Sequence, residues 1–267
     1  MKLDSLRGKY ALITGSSKGI GFSIACALGQ QGCKVAIIGR KKKFLDQCSN
    51  KLNQMSISHL TFNENLIDSK SSSRIMKIIA EVWGRLDILV NNVGGLPKKG
   101  NFFELSDQDW KDCHELNVLI PVRFTREAFP LLKKSNQPRV INISSFVASQ
   151  PGSYNPHYSA CKTAILNLTK HCSNLFAQYG ILVNSILPGN IETEFWNEYI
   201  EEKAIELQIS VSEARDIENK RVTEPTPLKR LGLPEEIANM VVFLASDKAS
   251  FITGTNLPID GGRTRCI

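Results

Sequence analysis

The chain has 267 residues, of which 42% are hydrophobic and 22% charged, which fits a globular domain with a core of its own and excludes a disordered or low-complexity chain. No apolar run is long enough to span a bilayer as a helix, so no membrane partner is expected. Thirty-three basic residues against 26 acidic ones give a net charge of +7, a balance that suits an anionic ligand but arrives without any nucleic-acid motif, so no nucleic-acid partner is expected.

In chain order, Met1 to Arg7 carries charge among its first apolar residues and shows no signal-type stretch before Gly8, so the expected location is the cytoplasm. Tyr10 to Thr14 reads as a buried strand, and a glycine-rich turn separates it from a helix over Ile20 to Gln31. Val35 to Ile38 is a second strand and His59 to Phe62 a weaker one. A helix over Ser71 to Trp83 precedes a strand at Leu86 to Val90. Strands at Arg139 to Ile143 and Leu182 to Ile186 flank a helix over Ala160 to Tyr179. Two charged helices follow, Glu194 to Leu207 and Ser212 to Arg221, and Asn256 to Ile259 is the last strand. The strong runs are short, β-branched and nearly continuous in apolar character, as strands covered on both faces are. Their alternation with helices predicts an α/β protein: a doubly wound, Rossmann-type parallel sheet in one domain spanning residues 1–267. The helical stretch 194–226 follows a strand end, where ligands sit in such sheets, and is expected to be a substrate lid.

The seven cysteines are Cys26, Cys33, Cys48, Cys113, Cys161, Cys172 and Cys266. Their number is odd and no CxxC pair occurs, which argues against a disulfide framework and a zinc site. No metal is expected, and the thiols read as small buried hydrophobes.

The turn after the first strand is Thr14-Gly15-Ser16-Ser17-Lys18-Gly19-Ile20-Gly21. Glycines let a backbone turn tightly and approach a pyrophosphate, and the helix that follows offers free N–H groups and a positive dipole end. The second strand ends Ile38-Gly39-Arg40. No acid is there to take a ribose 2′-hydroxyl, whereas Arg40 and Lys18 suit a 2′-phosphate. NADP(H) is therefore the expected cofactor. Further on, Tyr158 and Lys162 stand four apart in Tyr158-Ser159-Ala160-Cys161-Lys162, on one face of a helix. A neighbouring ammonium favours the phenolate, which would bring a phenol of ordinary pKa about 10 toward useful acid–base chemistry.

With these residues the chain resembles the short-chain dehydrogenase/reductase family over nearly its whole length. The glycine spacing is the family's. Asn91-Asn92-Val93-Gly94 is similar to its Asn-Asn-Ala-Gly element, with Val93 for alanine. Leu116-Asn117-Val118, Ile143-Ser144-Ser145, Tyr158 to Lys162, Pro188-Gly189 to Thr193 and Asp260-Gly261-Gly262 resemble further elements in the family's order.

The resemblance implies reduction of a ketone to a secondary alcohol, or the reverse, with a 3-oxoacyl thioester as one candidate substrate. It implies that Ser145 holds the substrate oxygen, Tyr158 passes it a proton, Lys162 holds the ribose and favours the tyrosinate, and Asn117 anchors a water chain. It assigns Gly15, Ser16, Ser17, Lys18, Gly19, Ile20, Gly21, Arg40, Asn65, Leu66, Asn92, Gly94, Tyr158, Lys162, Pro188, Gly189, Ile191 and Thr193 to the cofactor. Asn65 stands where relatives often have an adenine-contacting aspartate. A homotetramer is implied as well, with Phe243-Leu244 and Phe251-Ile252 as apolar surface for it. His157 is expected to be structural. Lys98, Lys99 and Arg123 are candidates for contact with an acidic carrier protein or coenzyme A. Leu96, Phe146, Val147, Phe195, Trp196 and Tyr199 are candidates for an apolar pocket. The alternative reading is a non-catalytic NADP(H)-binding redox sensor or assembly protein, against which the full Asn-Ser-Tyr-Lys set argues.

Overall fold

Short β-branched strands buried on both faces demand helices on both sides, and that is the arrangement in the computed structural model, which describes residues 6–265. The charged residues of Met1 to Ser5, and Cys266, lie outside the described residues. The strands are β1 (Tyr10–Ile13), β2 (Lys34–Gly39), β3 (His59–Asn63), β4 (Ile88–Asn91), β5 (Arg139–Ile143), β6 (Leu182–Pro188) and β7 (Asn256–Ile259). They form one seven-stranded sheet in the order β3-β2-β1-β4-β5-β6-β7, and every pairing is parallel. The helices are α1 (Gly19–Gln30), α2 (Lys42–Gln54), α3 (Ser71–Trp83), α4 (Asp107–His114), α5 (Ile120–Leu132), α6 (Pro156–Phe176), α7 (Glu194–Leu207), α8 (Val211–Thr223) and α9 (Pro234–Ala245).

Alternation along each strand builds two cores. Ala11 and Ile13 of β1 face the layer that holds Ile24 and Leu28 of α1, Leu52 of α2 and Val241 of α9. Leu12, between them, faces the opposite layer with Ile75 of α3, Phe124 of α5 and Phe176 of α6. The period of two in side-chain direction makes this division possible.

Two departures from the sequence expectation bear on the site. Helix α6 starts four residues early, at Pro156, because proline fits the first helical turn, where its missing N–H is not needed. The segment around Asn117 is a π-helical turn, Glu115–Leu119, set between α4 and α5. Helices α7 and α8 appear as a hairpin with a small core of its own, Ile200, Ala204 and Ala214, against which Trp196 and Tyr199 pack. Thr193 caps α7 by accepting from the Trp196 N–H, and Ser210 with Glu213 forms a capping box on α8.

Candidate active site

At β1 the chain turns back toward β2, and at β4 it continues toward β5, so a crevice opens above the carboxyl ends of these two strands. The glycine turn after β1 forms one wall. Ser16 is fully buried and joins two strand ends, donating to the Ile13 carbonyl (2.7 Å) and accepting from the Ile38 N–H (2.9 Å). Asn92 staples the turn from β4: its amide donates to the carbonyls of Thr14 and Gly15, both at 2.9 Å. A Cβ on Gly21 would sit 2.4 Å from that amide nitrogen, so only glycine fits there. Ser17 lies against Gly39, whose missing Cβ would come within 2.6 Å of it.

The donors of this wall already face carboxylates. The Gly19 N–H, at the start of α1, donates to Glu194 Oε2 at 2.9 Å. Lys18 Nζ reaches Glu198 Oε1 at 2.7 Å and lies 4.0 Å from the centre of the Phe44 ring. Both acids come from the first turns of α7, and neither was singled out from the sequence. The only sequence signal for them is acidic character just after Thr193. Arg40 is exposed at the end of β2, and no carboxylate pairs with it among the described residues. The Asn63 amide donates to the carbonyls of Gly39 and Arg40, both at 3.0 Å, and fixes that corner. Asn65 accepts from the Ile67 N–H at 3.3 Å, while Leu66 is buried in the core.

The other wall gathers the four residues expected to act together. Lys162 is buried, and its Nζ donates to the Ile143 carbonyl at 3.2 Å and lies 5.6 Å from the centre of the Tyr158 ring. Ser145 is hydrogen-bonded to Tyr158 and caps the turn that follows β5 by accepting from the Val147 N–H. Ser144 points away, donating to the Lys162 carbonyl at 2.9 Å. Asn117 is fully buried. It accepts from the Gly95 N–H at 3.0 Å and donates to the Gly95 carbonyl at 2.8 Å, and it also donates to the Cys113 carbonyl at 2.9 Å. The π turn thus holds the loop after β4, a recurrent use of such turns. A Cβ on Gly94 would stand 2.7 Å from Lys162 Nζ and 2.9 Å from Asn117 Oδ1, so glycine is what lets this loop close over the lysine.

Electrostatics here run against the sequence expectation. Burial pushes the Tyr158 phenol up to about 12, opposed by its hydrogen bond with Ser145. Burial pulls the Lys162 ammonium down to about 8, and the neighbouring Cys113 and Cys161 act the other way. Desolvation outweighs attraction because the lysine is turned to a carbonyl rather than to the phenol oxygen. Below Asn117, the Cys113 and Cys161 thiols share a hydrogen bond, which keeps the Cys113 thiol protonated.

The remaining expected residues line the end of β6. The Gly189 N–H donates to the Ile259 carbonyl at 3.0 Å, and a Cβ on Gly189 would meet Asp260 at 2.8 Å. Pro188 closes β6, and Ile191 bridges to Gly232. Ile20 packs on the core. His157 is fully buried and set edge-on to Trp110 at 5.9 Å.

Three comparisons agree with this arrangement. A family model described as enoyl-(acyl carrier protein) reductase matches residues 15–264. Tropinone reductase-like 3 of Erythroxylum coca is 34% identical over 255 residues, 96% of this chain and 93% of that protein. The 3-oxoacyl-(acyl-carrier-protein) reductase of Vibrio cholerae is 31% identical over 259 residues, 97% of this chain and 98% of that protein. The crystal structure of L-sorbose reductase from Gluconobacter frateurii, complexed with NADPH and L-sorbose, matches with a TM-score of 0.93 and 28% identity, covering 99% of each chain. The chain therefore belongs to the short-chain dehydrogenase/reductase family of oxidoreductases.

Proposed function

We propose that this protein is an NADPH-dependent reductase that converts a ketone to a secondary alcohol, or runs the reverse. The observation that carries the reading is the meeting of Ser145, Tyr158, Lys162 and Asn117 opposite the glycine turn, at the carboxyl ends of β1, β4 and β5.

The residues present fit a phosphorylated dinucleotide. A carboxylate of Glu194 already rests on the N–H that opens α1, which marks that point as a place for an anionic oxygen. Arg40 and Lys18 stand at the end of β2 and in the turn, where a 2′-phosphate would be met. NADPH, when bound, supplies the hydride. Asn65, Leu66, Asn92, Gly94, Pro188, Gly189, Ile191 and Thr193 complete the proposed cofactor set, and the Thr193 hydroxyl keeps a proton to donate while it caps α7.

The chain's own acid–base work follows from the two shifted groups. With its phenol at about 12, Tyr158 holds its proton at neutral pH and can release it to a carbonyl oxygen that gains negative charge. Ser145 donates to the same oxygen and keeps it in line. Lys162, near 8, exchanges protons readily at working pH and can restore the one Tyr158 gives up. Asn117 positions the Gly94-Gly95 turn against Lys162, because both ends of its amide are engaged there.

The α7–α8 hairpin acts as the lid in this reading. Lys99 latches it, pairing with Glu202 at 2.9 Å and lying 4.6 Å from the centre of the Tyr199 ring. That pairing, with Lys98–Asp109 and Arg123–Glu115, engages the charges first considered for an acidic carrier protein and weakens that case. Trp196 and Tyr199 serve the hairpin's own core, leaving Phe146, Val147, Leu96 and Phe195 as the apolar candidates of the pocket. We further propose a cytoplasmic homotetramer, with the fully exposed Phe251 in one of its interfaces.

The test is NADPH oxidation against a panel of ketones with wild type and Tyr158→Phe. The variant is expected to bind NADPH as wild type does and to lose at least about 100-fold in turnover, the size of a general-acid contribution. Full turnover by the variant overturns the mechanism, and retained binding of NADPH with no ketone reduced by wild type favours a sensor.

A further inference from the structure

The tail after β7 returns to the mouth of the crevice. The Arg263 guanidinium lies 5.7 Å from the centre of the Phe146 ring, which follows Ser145 in the chain. Arg263 Nη1 donates to the Val222 carbonyl at 3.3 Å, at the end of α8. The Arg265 N–H donates to Gln150 Oε1 at 2.7 Å. The tail thus meets both the loop after β5 and the end of the lid hairpin.

This corner is rich in donors and poor in acceptors. Arg221 pairs with Glu218 at 2.6 Å, but no carboxylate forms an ion pair with Arg263 or Arg265 among the described residues. Asp260 lies nearby, yet its carboxylate takes the N–H groups of Gly262 (3.0 Å) and Thr264 (2.8 Å). Arg263 Nε and Thr264 Oγ1 are buried and have no hydrogen-bond partner, whereas buried donors in folded proteins are nearly always matched. Burial, followed by repulsion from Arg265 and Arg221, holds the Arg263 guanidinium below its ordinary range. An anion at the solvent-facing guanidinium edges of Arg263 and the exposed Arg265 would relieve that repulsion, and the planar guanidinium suits carboxylate or phosphate.

We propose that Arg263, with Thr264 and Arg265, forms an anion-binding subsite at the mouth of the crevice, which takes a carboxylate or phosphate at the far end of the ketone substrate. The inference rests on the reductase reading and adds the substrate's class: a keto acid or keto phosphate rather than a neutral ketone. Arg263 acts here on binding and selectivity, away from the reacting carbonyl.

The test compares three ketones of one chain length, ending in a carboxylate, a phosphate or a methyl ester, by NADPH oxidation. Wild type is expected to favour an anionic ketone over the ester by about tenfold or more in kcat/KM, as a charged hydrogen bond would give. Arg263→Gln is expected to erase that preference through KM, leaving the ester within about twofold of wild type, while Arg263→Lys keeps part of the preference. The preferred anion identifies the tail group. If Arg263→Gln does not fold, Arg265→Gln, at an exposed position, is expected to move the preference in the same direction. Equal use of all three ketones by wild type, or equal loss on all three in the foldable variant, overturns the proposal. If no ketone is reduced at all, the reductase reading falls, and calorimetric titration of the same keto acid and keto phosphate decides the subsite. Binding that the variant loses supports it, and no binding by wild type overturns it.

Discussion

Tyr158 and Lys162 illustrate how burial changes what a spacing means. On an exposed helix the pair would attract, and the phenol would fall. Here both groups are pushed toward their neutral forms, the phenol to about 12 and the ammonium to about 8. The consequence for stability has a definite sign. Folding lowers the Lys162 pKa from its ordinary 10.5 to about 8. Between those values the unfolded chain binds more protons than the native one, so stability rises with pH across the window. Below it, the cost of the buried charge is fully present. Lys162→Met removes that cost while keeping an apolar side chain of similar length. The variant is expected to be more stable than wild type near neutral pH by about 1–4 kcal/mol, as when buried charges are replaced by apolar groups, and to have no turnover. Thermal melts along a pH series check this: the advantage is expected to shrink as pH climbs from about 8 toward 10.5. A methionine variant less stable than wild type near neutral pH overturns the account.

At the scale of elements, the α7–α8 hairpin is the piece proposed to connect cofactor and substrate. Its bounds were legible: α7 spans Glu194–Leu207, the expected stretch, because Thr193 provides a cap and the apolar positions recur with helical period. Its contact with α1 was not, since nothing local in Glu194 or Glu198 says that the fold brings them to Gly19 and Lys18, about 180 residues away. The π turn at Asn117 was hidden for a similar reason. It depends on the long-range bonds to Gly95, while the local sequence reads as ordinary helix. The contact with α1 has a measurable consequence. Glu194 holds negative charge at the point where a phosphate oxygen is proposed to bind, so it must withdraw or be repelled. Glu194→Gln keeps an acceptor there and removes the charge. NADPH is expected to bind about threefold to tenfold more tightly, the scale of one charge at a helix terminus, a gain that shrinks as ionic strength rises. Fluorescence titration of NADPH at two ionic strengths checks it. Unchanged or weaker binding would mean that Glu194 stays on Gly19 beside the bound cofactor.

At the scale of the whole molecule, the parallel sheet separates chemistry from stability, because all strands point their carboxyl ends the same way. The strands themselves were legible from short β-branched runs, and β5 and β7 fall at the expected residues. The strand order was not legible, since local patterns carry no pairing information. The opposite end of the sheet holds a buried acid that the apolar run Leu86 to Val90 conceals. Asp87 is fully buried, just before β4. Its carboxylate accepts from the Tyr10 N–H at 2.8 Å, from Arg85 Nε at 3.2 Å and from the Ser135 hydroxyl. It thereby ties β1, β4 and the end of α5 together, on the far side of the sheet from Tyr158. Removing it leaves Arg85 and the Tyr10 N–H without their acceptor, which costs about 2–4 kcal/mol. Asp87→Ala is therefore expected to lower the melting temperature by several degrees, yet to keep kcat/KM per folded molecule within about twofold of wild type. Tyr158→Phe is expected to do the reverse. A double-mutant comparison should give additive effects, because sites this far apart share no partner. Loss of activity in Asp87→Ala at temperatures where it remains folded would show that the two ends of the sheet are coupled.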